Sequence, residues 1–165
     1  MNSTTEALIR IYDRDLTKLA EEIKLYPDEA LLWKVVAGIN NSAGNLAVHL
    51  CGSLQHFFGA IMAKNGYKRN RDLEFSIKGV PLSEILKEIE LAREAMKSVL
   101  SRLSSEELDK EFPVVVFDQP MTTGFFLIHM TTHITYHLGQ INYHRRILTK
   151  PDEKQTPTVE YRMAK

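Results

Sequence analysis

Three histidines carry the chemistry this sequence could do. His133 and His137 stand four residues apart in the run H-I-T-Y-H, and His49 lies far upstream in N-L-A-V-H-L-C-G-S-L. Imidazoles four apart on an α-helix are separated by one turn, about 5.4 Å, and can aim ring nitrogens at one ion. A third histidine from a facing helix would complete a three-His site with a position open for water or substrate. Turning residues 122–148 as a helix at about 100° each places His133 and His137 on the stripe of Phe126, Met130, Ile141 and Leu148. Thr131, Thr135, Asn142 and Arg146 take the opposite side. The same rotation sets His49 inward, among Ser42, Leu46, Ser53, Phe57 and Ala60. Three buried imidazoles sharing no ligand would be costly. The competing reading is three separate core histidines, each bonded to a carbonyl or hydroxyl.

Three neutral imidazoles leave the full double charge on a metal. Such an ion lowers a bound water toward pKa ~7 or holds a thiol as thiolate. Amide hydrolysis also needs a positioned base, but Ile134, Thr135 and Tyr136 fill the pair, with no Glu as in H-E-x-x-H. Thiol transfer needs less, since the metal supplies the deprotonation and the soft sulfur attacks. The residues therefore favour a metal-dependent thiol transferase over a hydrolase. Tyr136 and Gln140 are the candidate catalytic groups beside the ligands, with Tyr143 as a further proton donor or a packing residue. Asn45 and Ser53 are placed to support the ligands. Arg69 and Arg71 read either as a clamp for an acidic substrate or as a solvated loop with Arg71 paired to Glu74. His129 and His144 are expected behind or beside the site, and His56 as a pocket wall. Cys51 points about 160° from His49 and is expected in the core or an interface.

The elements that must position these groups follow from periodicity. A first helix starts near Ser3, Thr4 or Thr5, repeats Leu8, Ile11, Tyr12, Leu16, Leu19 and Ile23, and ends at Pro27. A short helix follows Asp28. The second long helix spans about 42–64, stopped by Asn65-Gly66. Residues 66–80 have no sustained period and read as a long connection. Pro81 opens a third helix through Leu103, and a capped turn follows at Ser104. Residues 112–117 are β-prone, and the fourth helix spans about 122–148. The expected fold is all-α: a four-helix bundle over 1–149, with an arm or disordered tail over 150–165.

Length and composition agree with one globular domain. The chain has 165 residues, 44% apolar, with 21 basic and 21 acidic side chains. Zero net charge argues against nucleic acid as a partner, and no apolar run approaches the roughly 20 residues of a bilayer span. No signal peptide is read at the start, and one cysteine fits a cytoplasmic protein.

The segments Asn45–Leu54, R-x-x-E-F at Arg71–Phe75 and H-I-T-Y-H-L-G-Q-I at His133–Ile141 resemble the DinB/YfiT-like superfamily. This is not the DNA polymerase that shares part of the name. The likeness covers about residues 40–148. It implies a four-helix bundle, commonly dimeric, holding a divalent metal (zinc or nickel among others) on His49, His133 and His137. It also implies transfer or isomerisation with a small thiol such as bacillithiol, mycothiol or glutathione, or hydrolysis. A non-catalytic, stress-associated binding module is a further reading. Leu138 stands where many relatives carry Arg. The second helix is apolar nearly all round, through Ala47, Leu54, Phe58 and Met62, so it is expected to be central or near a homodimer interface, possibly with 112–118.

Overall fold

The computed structural model describes residues 2–116 and 118–150. Among them are seven α-helices and one π-helical stretch, with no β-strand. The expected tail from 151 onward and position 117 of the β-prone run lie outside the described residues.

Helix α1 (Ser3–Lys24) is capped by Asn2, one residue before the expected cap. Asn2 accepts from the Thr5 amide at 2.9 Å and the Thr5 hydroxyl answers it, forming a closed capping box. The predicted stripe is buried at Leu8, Tyr12, Leu16, Leu19 and Ile23, while Ile11 is only half-buried. Helix α2 (Glu29–Leu32) is capped by Asp28. Ser42 caps α3 (Ala43–Leu54), which runs directly into a π-helical stretch, Gln55–Met62. Lys64 and Gly66 then turn at positive φ, 52° and 83°, so the stop falls beside the expected Asn65-Gly66.

The predicted connection 66–80 holds a helix that periodicity did not reveal, α4 (Arg71–Ser76). Asn70 caps it by accepting from the Leu73 amide at 3.1 Å. Helix α5 (Leu82–Leu100) starts after Pro81 as expected, and α6 (Ser105–Asp109) grows from the Ser104–Glu107 capping box. The β-prone run gives only isolated bridges, Glu111 to Thr122 and Val116 to Gln119. Two bridges do not make a sheet, and the segment instead delivers Phe112, which stacks on Phe126 at 3.9 Å. Thr122 caps α7 (Thr123–Thr149), and Lys150 closes it at φ 41°.

Helix α1 packs on α5 and α7, and α3 packs on both as well as on α1 and α4. Within α3 only Val48 escapes full burial. Ala47, Leu54 and Phe58, the residues behind the expected interface, are covered by the chain itself. The all-round apolar character of this helix therefore reflects a central place. No helix among the described residues is long and apolar enough to cross a membrane.

Candidate metal centre

His49 comes from the middle of α3, and His133 and His137 from the middle of α7, which lies against it. The three rings converge. Centroids are 5.1 Å apart for His49–His133, 5.2 Å for His49–His137 and 4.7 Å for His133–His137. One ring nitrogen from each lies within 4.8 Å of the others, a grouping that could hold a metal ion.

Hydrogen bonds fix which nitrogens face the shared point. His49 Nδ1 lies 2.9 Å from Glu74 Oε2, and an ionised carboxylate only accepts, so Nδ1 carries the hydrogen and Nε2 the lone pair. His137 Nδ1 lies 2.7 Å from Gln140 Oε1, which leaves its Nε2 as the free lone pair. His133 Nε2 approaches His49 Nε2 to 3.1 Å, while its buried Nδ1 has no partner. A hydrogen on His133 Nε2 bridges that gap in the metal-free protein. A cation fits the same place, since two imidazoles bound tetrahedrally at 2.0–2.1 Å set their nitrogens about 3.3 Å apart. Burial pushes His133 down to about 3, helped by repulsion from His137 and His49. Burial lowers His137 too, against the opposing bond to Gln140. Uncharged imidazoles are the form a metal requires.

Behind His49 stands an ion pair that sequence reading missed. Arg69 grips Glu74 with two nitrogens, Nε to Oε1 at 2.7 Å and Nη2 to Oε2 at 2.8 Å. The same Nη2 donates to Ser53 Oγ at 2.7 Å, which uses both of its hydrogens. It therefore has none to give His49 Nδ1, 3.3 Å away. Burial would raise the Glu74 carboxyl, but hydrogen bonds from His49 and Arg69 overcome it and hold the group below its usual range. The expected Arg71–Glu74 pair is not formed. Arg71 instead lies over the Phe75 ring at 5.7 Å, and that ring faces His49 at 4.7 Å. Glycine explains how the carboxylate reaches α3, because a Cβ at Gly52 would overlap the Glu74 carboxyl group. The signal was present in R-x-x-E-F and in Gly52, but the contact spans two elements.

The other sequence candidates separate cleanly. Asn45 pins α4 rather than a ligand, donating to the carbonyls of Glu74 and Ile77 at 3.0 and 2.9 Å. Ser53 acts through Arg69. Tyr136 is exposed with its ring 5.3 Å from His137, so it lies at the rim. Tyr143 is exposed on the same helix. Cys51 is buried, with its thiol pushed well up by burial, and is no part of the grouping. His56 packs edge-on against Phe57 and also stands apart. His129 lies outside the grouping but close enough to His133 to influence its charge.

His144 is a core histidine. Its Nδ1 accepts from the Tyr26 hydroxyl at 2.7 Å and its Nε2 donates to the Lys34 carbonyl at 2.8 Å, tying α7 to the segment after α1. Burial lowers it from the ordinary range, against the pull of the Lys34 bond. Below the unfolded value of about 6.5 the unfolded chain takes up a proton that the native chain refuses. This contribution is therefore whole above pH ~6.5 and declines as pH falls toward the native value. Urea unfolding of metal-free protein between pH 7 and 5 should show that loss, and a His144→Gln protein should show a shallower slope.

The profile of a family described as a protein of unknown function (DUF1572) matches residues 5–159, a span that includes all three histidines, Arg69 and Glu74. No curated protein matches the chain.

Proposed function

Since the chain belongs to the DUF1572 family, whose function is uncharacterised, we propose from its own geometry that it is a divalent-metal-binding protein using His49, His133 and His137 as ligands. The observation that carries this reading is the pinning of two Nδ1 atoms by Glu74 and Gln140, which turns Nε2 lone pairs toward one point. Zinc and nickel suit such a donor set. The four long helices, with α1 and α3 each packed on α5 and α7, are read as a four-helix bundle, in keeping with the DinB-like resemblance.

A small thiol is the favoured substrate and S-transfer the favoured reaction. A bound ion would supply Lewis acidity, lowering the pKa of a coordinated thiol. The chain's own groups support this over hydrolysis. Glu74, the carboxylate bonded to a proposed ligand, already accepts from His49 and twice from Arg69, so it is not free to act as the general base that hydrolysis needs. Tyr136 and Gln140 flank His137 and are placed to orient a substrate.

Equilibrium dialysis against zinc and nickel tests the metal, with one ion per chain expected. Conjugation assays with bacillithiol, glutathione and coenzyme A test the thiol. Activity that survives chelation would overturn the enzymatic reading, and no bound ion would overturn both.

A further inference from the structure

Residues 66–79 cross the histidine site without joining the core. Glu74 is the one buried residue among them, and no side chain of the segment belongs to the hydrophobic interior. Its helix, α4, packs against α3. Apart from a bond to Asn65 at its start, the segment is tied to the described residues along one stripe of α3: Asn45, His49 and Ser53, one turn apart. Asn45 Nδ2 donates to the Glu74 and Ile77 carbonyls, and its Oδ1 accepts from Lys78 Nζ at 2.7 Å. His49 Nδ1 donates to Glu74 Oε2, and Ser53 Oγ accepts from Arg69 Nη2. The half-buried Phe75 ring lies against that of His49.

Both ends are built to turn. Gly66 and Gly79 sit at φ 83° and 67°, and a Cβ at either would meet nothing. Two glycines in open surroundings thus flank a segment whose hold is mainly polar. Such bonds exchange for bonds to water at small net cost once water reaches both partners. The ion pair does not oppose this exchange. Arg69 and Glu74 both lie between the two glycines, so they leave α3 together and neither charge is stranded. The groups left behind on α3 are an amide, a hydroxyl and a ring N–H, all neutral and open to water.

We propose that residues 66–79 form a hinged strap, which lifts from α3 as one body about Gly66 and Gly79 and completes the histidine site when it closes. Closure seats Glu74 on His49 Nδ1, fixing the tautomer that turns Nε2 toward His133 and His137. Lifting frees that ring to turn. A site aligned by a removable segment binds tightly only when the segment is down. This coupling rests on the metal-binding reading above, and it is reciprocal: closure favours the ion, and the ion favours closure by the same factor.

Hydrogen exchange followed by NMR tests the hinge and the coupling separately. In metal-free protein the amides of Glu74 and Ile77, bonded within the strap, should exchange at least about 100-fold faster than those of α3 beneath it. Their rates should scarcely respond to dilute urea, which accelerates exchange that requires global unfolding. Gly66→Ala and Gly79→Ala should each speed them about 5–30-fold through the φ penalty on the closed form alone. Saturating zinc should slow them at least about 10-fold. Strap amides that match α5 in rate and urea dependence overturn the proposal, because the segment then opens only with the whole chain. Unchanged rates in both alanine variants remove the glycines as hinges. One zinc bound per chain without slower strap exchange overturns the coupling. If no zinc binds, the metal reading and the coupling fall together, while the metal-free rates still decide the hinge.

Discussion

A His133→Ala protein is expected to lose stoichiometric binding of a divalent ion while keeping its helical fold. His133 is the ring most committed to the shared point. Its Nε2 lies 3.1 Å from that of His49, its Nδ1 bonds to nothing, and burial holds it uncharged near neutral pH. Removing it leaves buried His49 Nε2 without its partner, a cost of about 1–3 kcal/mol that the helical fold is expected to survive. The affinity should fall by more than about 100-fold, beyond the 10–100-fold typical of losing a group that only supports a ligand. Thermal unfolding gives a second readout. Metal at about 100 times Kd should stabilise the wild type by about 2.7 kcal/mol and the variant hardly at all. His144→Ala provides the contrast, since it should lower stability and leave the ion in place. One tightly held ion per chain in His133→Ala would end the three-histidine reading.

Why these histidines were legible, and the Arg69–Glu74 pair behind His49 was not, has a physical reason. A ligand pair four apart lies on one face of any regular helix, so the 3.6-residue period alone put His133 and His137 beside Phe126 and Met130. His49 followed from the same period on α3. Glu74 obeys no such rule, because its contact to His49 joins a six-residue helix to a twelve-residue one across a turn. A helix that short has too few repeats to show a period. The π-helical stretch after Leu54 widens the turn. Positions beyond it therefore drift from a 100° rotation, and Phe58 takes the buried place while Phe57 is only partly covered. The outer face of α7 was hidden differently. Apolar residues lie on both its sides, so the inward stripe alone does not reveal Phe125 and Ile128 as exposed, and Tyr143 reads only as a proton donor or packing residue.

The support behind His49 gives the largest effect on stability. Glu74→Ala should cost about 3–5 kcal/mol, because it strands the Arg69 guanidinium, largely buried, without its carboxylate. It also frees His49 Nδ1, so the ring loses both its orientation and its fixed tautomer, and metal affinity should fall about 10–100-fold. Gly52→Ala should cost about 1–3 kcal/mol by a different route, since the new methyl overlaps the carboxyl group of Glu74 and pushes it away. These two costs cannot add. Once Glu74 is truncated, nothing remains for the added methyl to strike. The double variant should therefore be about as stable as Glu74→Ala alone, with a coupling of at least about 0.5–1 kcal/mol in a urea-unfolding cycle. Additive costs would mean that Gly52 matters for some reason other than admitting this carboxylate. Glu74→Gln separates charge from shape: its amide oxygen can still accept from His49, but the countercharge to Arg69 is gone. If Glu74 serves chiefly to orient His49, Gln should recover most of the metal affinity and little of the stability. Recovery of stability without affinity would reverse that assignment.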